Sequence, residues 1–318
     1  MTQEQTPSSS MLENITCYQC GSSHSSNFTE AWDDLTGKPG TFHFVRCKQC
    51  GLVYQNPRIK EEFIGQYYDD EYIAHRKKKS WGLMTPLYNW AMGKHDRQKA
   101  KLVERYTSLT ESSQVLDIGC GAGTFLHKVH ELHGAGITGV DFKDLSSLPG
   151  FDLINFRHGP ISEQEFSENS FDLVTLWHYL EHDYAPKQTL EKISRIMKDD
   201  GTLIIEVPRL DSLSYKLFKE RWPGLQAPQH TILFDKKSLL ETVQKAGYIV
   251  EDYLPYGAFP AYFYLFCGFA FKLLKGRGLN LSKAVYPYFA GQLLVMPILL
   301  FEKRLNLAMQ TVICRKPQ

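Results

Sequence analysis

Asp117 is followed by glycines at alternate positions, Gly119, Gly121 and Gly123, at the end of the apolar run that begins at Val115. Glycine serves where a backbone must turn sharply or approach a ligand closely. The run therefore reads as a strand, a nucleoside-binding loop that includes Cys120, and a helix opening at Thr124. A dinucleotide loop places its third glycine three residues after the second, over a pyrophosphate. Here the third comes two residues after the second and an acid precedes the first, which disfavours a pyrophosphate ligand. Gly136 to Asp141 reads as a second short strand ending in an acid, about 20 residues beyond the loop, the spacing at which a carboxylate can accept both ribose hydroxyls. Asp141 is thus expected to hold a ribose, with Phe142 and Trp177 lining the nucleoside.

Four of the seven cysteines fall as Cys17-x2-Cys20 and Cys47-x2-Cys50, each pair followed by a glycine, Gly21 or Gly51. Two matched knuckles present four thiolates tetrahedrally to one Zn²⁺, and four thiolates leave no open position for catalysis, so the expected metal is structural. A segment of this size buries too little surface to fold unaided and draws on metal binding for stability. Cys120, Cys267 and Cys314 are scattered and read as small buried residues.

Strand-like runs at Phe171–Trp177 and Gly201–Val207, with a helical stretch at Leu190–Met197 between them, alternate in the way of an α/β, doubly wound sheet. Ile249–Pro255 and Leu307–Arg315 read as a sixth strand and an antiparallel seventh. The chain holds one sizeable domain and a small one, with 43% apolar residues and a net charge of +1. That balance gives no signature of a nucleic-acid partner. The opening residues are polar and Ser-rich, read as a disordered tail over 1–14 and not as a cleavable signal. The expected order is then a zinc ribbon at 15–57, a helical lid or linker at 58–98, a catalytic core at 99–255 and 302–318, and a hydrophobic insertion at 256–301.

The glycine loop with its preceding acid resembles motif I of the class I S-adenosylmethionine (SAM) dependent methyltransferases, and the Phe171 and Gly201 runs resemble later strands of the same family. The resemblance implies a Rossmann-like seven-stranded sheet, SAM as cofactor, and Asp117 orienting the ammonium group of SAM. Members usually carry an acid about a dozen residues before the Phe-Asp pair to hold the adenine amino group; Gly159, Pro160 and Ile161 occupy that stretch here, which leaves adenine to main-chain and apolar contacts. The passages Cys50-Gly-Leu-Val-Tyr-Gln-Asn-Pro57 and Tyr67-Tyr68-Asp-Asp-Glu-Tyr72 are similar to those of zinc-ribbon methyltransferases, where they fold over the pocket as a lid. The basic run His75 to Lys79 and Trp81 follows.

Methyl transfer requires alignment, exclusion of water and, for a hydroxyl acceptor, removal of a proton. His178-Tyr-Leu-Glu181-His182 begins at a strand's carboxyl end, where open α/β sheets bind ligands. The pattern also matches inverted zinc peptidases, but that motif needs a long helix and a third ligand. It resembles a segment of ubiquinone-biosynthesis O-methyltransferases in which an acid and a Glu-His pair gather a divalent cation. Here His178 replaces the first acid, and a His-rich set is a poor one for magnesium. An unperturbed imidazole titrates near neutrality, so His178 is the expected general base, with Glu181 and His182 beside it. His230 competes for that role, in a loop that resembles the family's Pro-x-His segment, with Arg209 and Trp222 expected nearby.

Leu254–Phe271 and Ala284–Phe301 are 18-residue segments without a formal charge. Both lie at the lower limit for a membrane span. Spanning twice would place Lys272, Lys275, Arg277 and Lys283 on the wrong side for the positive-inside rule, and Pro260, Pro287 and Pro297 should interrupt the helices. The expectation is two interfacial helices beside the pocket, with a soluble substrate cap or dimer interface made of the same helices as the competing reading, a peripheral contact with the cytoplasmic face of a membrane, and a lipidic small-molecule acceptor methylated on oxygen in preference to carbon or nitrogen. A sugar methyltransferase and a non-catalytic SAM-binding adaptor are the alternatives, and the sequence carries no signal of oligomeric state.

Overall fold

The structure, a computed structural model, describes residues 7–68, 85–275, 277–279, 281–299 and 301–316. Tyr72, the basic run 75–79 and Trp81 lie outside the described residues. The chain opens with β1 (Leu12–Glu13), β2 (Ser25–Ala31), β3 (Phe42–Cys47), β4 (Val53–Gln55) and β5 (Arg58–Ile59), followed by α1 (Glu61–Ile64) and α2 (Thr85–Val103). Next come β6 (Gln114–Ile118), α3 (Thr124–His133), β7 (Gly136–Asp141), β8 (Asn155–His158), β9 (Phe171–Trp177), α4 (Pro186–Ile196) and β10 (Met197–Pro208). The remainder is α5 (Leu213–Phe218), β11 (Ile232–Leu233), α6 (Lys236–Lys245), β12 (Ile249–Leu254), α7 (Ala261–Leu274), α8 (Leu281–Leu299) and β13 (Met309–Arg315).

A seven-stranded sheet has the order β12-β13-β10-β9-β6-β7-β8, with β13 antiparallel to both of its neighbours and the other pairings parallel. Its central strands are buried on both faces, as parallel sheets covered by helices must be. Val174, Leu176, Leu203 and Ile205 pack into one hydrophobic cluster, while Leu173, Ile204 and Ile313 pack into another. That is the period-two alternation of a strand read across two faces. Strand order reverses between β6 and β9, so their carboxyl ends flank the crevice in which such sheets bind ligands.

The N-terminal unit is less separate than its spacing of cysteines suggests. Strands β2, β3 and β4 form an antiparallel sheet, and β11, contributed by the catalytic core, adds itself to β4. Val45, Leu52 and Tyr54 of this unit share a hydrophobic cluster with Leu180, Ile232 and Phe234 of the core. The tail expected to be disordered contains a short 3-10 turn at Ser9–Met11 and β1, which pairs with β5.

The hydrophobic insertion leaves from the end of β12 and returns at β13, at the carboxyl edge of the parallel strands. The prolines do not interrupt it: Pro260 caps α7, and α8 runs through Pro287 and Pro297. Helix α7 buries Tyr264, Cys267, Gly268 and Phe271 against the protein. Gly268 is required there, because a Cβ would stand 2.3 Å from the Phe218 ring. Tyr288 of α8 packs on Tyr262 and Phe266 of α7. Among the described residues no helix is long and apolar enough to cross a membrane.

Candidate active site and metal centre

The four knuckle cysteines converge, with one sulfur from each within 4.8 Å of the others. Cys17 Sγ lies 3.5 Å from Cys50 Sγ, and Cys20 Sγ lies 3.5 Å from Cys47 Sγ. Gly21 and Gly51 adopt φ of +72° and +85°, the left-handed turn that closes each knuckle. Burial works against ionisation of Cys47, but the main-chain N–H groups of Cys50 and Gln49 aimed at its sulfur bring the thiol down to about 7. Soft thiolates in a closed set suit one zinc ion.

Strand β6 delivers Asp117 to the crevice and the chain then turns through Gly119, Gly121 and Gly123, all at positive φ. The clearance needed at two of these glycines is internal. A Cβ at Gly119 would stand 2.8 Å from Tyr179, and one at Gly123 would stand 2.5 Å from Ile154. Cys120 turns its side chain inward, close to Gly139, so only its main chain remains for a ligand. Asp141, at the end of β7, accepts the Gly121 N–H at 2.9 Å and the Lys143 N–H at 3.0 Å, tying the second acid to the loop. Asp117 is buried and accepts the Thr175 hydroxyl at 2.6 Å. Its burial raises the carboxyl to about 7, although Lys99 and Thr175 pull the other way.

Trp177 stacks edge-on against Phe125, and its indole N–H has no hydrogen-bond partner among the described residues. Lys99 of α2 places its ammonium 5.0 Å from the Trp177 ring centre. Phe142 is 44% exposed and meets Tyr68 edge-on at 4.8 Å between ring centres. Tyr68 in turn is hydrogen-bonded to His182 Nδ1 at 2.8 Å. The described end of the expected lid thus reaches the pocket through one tyrosine.

The expected general base is corrected by its neighbours. His178 Nδ1 lies 3.4 Å from Glu181 Oε1, and its Nε2 lies 3.4 Å from Glu206 Oε1. Burial disfavours the imidazolium, but the two carboxylates outweigh it and push His178 up to about 9. An imidazole pushed up in this way and held at both nitrogens is poorly suited to accept a proton from substrate near neutrality. Glu206, which sequence reasoning passed over, is brought down to about 2 against its burial, chiefly by His178 and also by the Ala258 N–H. It accepts main-chain N–H groups from Ala258 at 2.6 Å and Phe259 at 3.0 Å, fastening the start of the insertion to the sheet. The one available signal was a lone acid inside the apolar run Leu203–Val207.

His230 is buried and pushed down to about 3, first by burial and then by His182. Its Nδ1 lies 2.8 Å from Gly224 O. The His182 and His230 rings meet edge to face at 4.5 Å. The ribbon reaches this place through the main chain, since Gln55 N–H donates to Thr231 O and Thr231 N–H donates to Glu181 O, both at 2.8 Å. Arg209 is paired with Asp211, and Trp222 is a core side chain whose indole N–H donates to the Ser214 hydroxyl.

A family described as a methyltransferase domain matches residues 92–253. The chain belongs to that family, the class I SAM-dependent methyltransferases. It is 27% identical to a tRNA U34 carboxymethyltransferase of Desulfotalea psychrophila over 169 residues, 49% of this chain and 51% of that one. It is also 27% identical to a demethylmenaquinone methyltransferase of Lactococcus lactis over 195 residues, 51% of this chain and 76% of the relative. Phosphoethanolamine N-methyltransferase 2 of Haemonchus contortus, solved with SAM, has the same fold, with a TM-score of 0.51 and 19% identity over 84% of this chain and 63% of its own. The chain spans about half the length of the first of these relatives, and the family match includes neither the four cysteines nor α7 and α8.

Proposed function

We propose that this enzyme transfers the methyl group of SAM to an oxygen of a hydrophobic or lipid-linked small molecule while bound peripherally to the cytoplasmic face of a membrane. In this reading Asp117 meets the ammonium of SAM and Lys99 its carboxylate. Asp141 takes the ribose hydroxyls, with Phe142 and Trp177 beside the nucleoside. Tyr68 closes over the pocket, and one Zn²⁺ held by Cys17, Cys20, Cys47 and Cys50 keeps the ribbon folded. Glu181, His182 and His230 face the acceptor in place of the clamped His178.

The observation that carries the lipid reading is the exposed apolar surface of α7 and α8. Phe269 and Leu273 of α7, Leu293, Leu294, Met296 and Ile298 of α8, and Phe301 are each 46 to 83% exposed. Exposed apolar side chains gathered on two adjacent helices mark an interaction site. They belong to the same helices that Glu206 fastens to the active-site edge. Transfer from labelled SAM into fractionated cell extracts is the test. Label in a lipid fraction is the expected result, and label only in water-soluble sugars or small metabolites would overturn the lipid acceptor.

A further inference from the structure

Helix α2 carries polar residues on its buried face. Among its described side chains His95 and Asp96 are buried together with Ala100, Leu102 and Val103, while Arg97, Gln98 and Lys101 are exposed. A stripe at this spacing is the face that packs on the protein, and in a surface helix it is apolar. Here it presents an imidazole, a carboxyl and, one turn on from His95, the Lys99 ammonium. Two of the three are accounted for: Thr124 hydrogen-bonds Asp96, and Lys99 lies over the Phe125 and Trp177 rings. His95 is not. It is 8% exposed, and its Nε2 has no hydrogen-bond partner among the described residues. Buried polar atoms are nearly always hydrogen-bonded, so an orphaned one beside a ligand crevice points to a partner that the ligand brings.

The neighbours of His95 indicate which ligand. Its ring meets Phe259 edge to face at 5.5 Å between centres, and Phe259 meets His178 at 4.8 Å. Phe259 is fixed in place, because Glu206 accepts its N–H and that of Ala258, and a Cβ at Gly257 would stand 2.6 Å from Glu206 Cδ. On its own helix His95 is followed one turn later by Lys99, which with Trp177 is assigned above to SAM. His95 thus stands between the SAM side of the crevice and the edge formed by His178 and the start of the insertion, where the acceptor is expected.

We propose that His95 is the catalytic base, its Nε2 accepting a hydrogen bond from the acceptor hydroxyl and then the proton as the methyl group moves. The proposal rests on the oxygen-acceptor reading above. An oxygen lone pair forms the new carbon–oxygen bond, the carbon–sulfur bond breaks with its electron pair left on sulfur, and the hydroxyl proton passes to Nε2, to be released to water when the product leaves. Burial and then Lys99 push the imidazole down to about 3, so in the free enzyme it is neutral and open to a proton near neutrality. The resulting weakness as a base is offset in the reaction itself. The sulfonium loses its positive charge in the step that creates the imidazolium, so the crevice holds the same charge before and after, and Glu206 favours the cation.

The test uses the full-length protein, saturating SAM with an isotopically labelled methyl group, and lipid and aqueous cell extracts as acceptor. Label incorporation gives the rate, and the NMR shift of the transferred methyl identifies the atom that received it. His95→Phe, which keeps a flat ring without nitrogen, should lower turnover by about 100-fold or more, as loss of a general base does, with SAM affinity by calorimetry near wild type. His95→Ala should lose as much and recover in part with added imidazole but not with pyrrole, a ring of the same size whose nitrogen has no free lone pair. If the larger ring disturbs SAM binding, the comparison of imidazole with pyrrole in His95→Ala decides. Rescue by both rings or by neither overturns the base. Methyl found on oxygen with His95→Phe at the wild-type rate sinks the base alone. Methyl found on carbon or nitrogen, with selective rescue by imidazole, sinks the oxygen reading and leaves His95 as the base.

Discussion

Asp117 shows how burial sets the terms of cofactor binding. Its carboxyl is raised to about 7, while the group it is proposed to meet is an ammonium. Below that value the site must release a proton before the pair can form, so SAM affinity should fall about tenfold for each pH unit below 7. Above it affinity should level off, then decline as the amino group of SAM loses its own proton near roughly 7.7 to 8. The stability effect has the opposite sense. A carboxyl raised on folding stabilises the native state at low pH, and the free protein loses that contribution as pH rises through about 7. Calorimetric affinities between pH 5.5 and 8.5 measure the first effect, and a flat profile rules out Asp117 as the partner of the ammonium. Lys99 offers a second check on the same ligand. Lys99→Met should lose the preference for SAM over its decarboxylated analogue, because only SAM presents a carboxylate; an unchanged preference assigns Lys99 to packing on Trp177. The acids and glycines of this loop were legible because their roles follow from local spacing. The charge on His178 was not, since it depends on Glu206 of the neighbouring strand.

At the scale of elements, legibility followed apolar periodicity. Strands β7 and β9 stand at the residues their composition indicates, because both are buried and bounded by turns. Strand β8 escaped because its four residues, Asn-Phe-Arg-His, lie at an edge with no apolar repeat, and β11 because two residues carry no period at all. That second omission matters for the ribbon. A cysteine cluster in the sequence suggests a self-contained unit, but β11 and Thr231 join it to the loops bearing His230 and Glu181. Loss of metal from the ribbon should therefore disturb the acceptor side of the pocket before the SAM side. Cys47→Ser is expected to lower turnover by about 10-fold or more, as small misplacements of catalytic groups do, with SAM affinity close to wild type. Turnover and SAM affinity both unchanged after metal loss would make the ribbon independent of catalysis, against this coupling.

Across the whole molecule, the insertion poses the largest question of surface energy. Exposed leucines at 68 to 83% on α7 and α8 are a standing cost in water, and each stabilises the complex by roughly 1.5–3 kcal/mol when buried. A bilayer surface supplies that burial without requiring either helix to span it. The connector fits a headgroup layer only in part. Lys272 donates to Leu217 O and lies over the Phe218 ring, and Leu279 N–H donates to Leu35 O, so the connector is docked on the protein. Lys275 and Arg277 are exposed and, among the described side chains, remain the charges for an anionic surface, each contributing about 1 kcal/mol there, while the side chain of Lys283 lies outside the described residues. Binding should then depend more on apolar area than on charge. The full-length protein should sediment with anionic vesicles, persist at moderate salt, and bind only somewhat less well after Lys275→Gln with Arg277→Gln. Leu293→Ser with Leu294→Ser should release it, while SAM affinity and thermal stability stay near wild type because both side chains already face solvent. Concentration-dependent self-association abolished by the same pair, without any affinity for vesicles, would assign the patch to a second copy of the chain. The lipid acceptor would then lose the surface on which it rests.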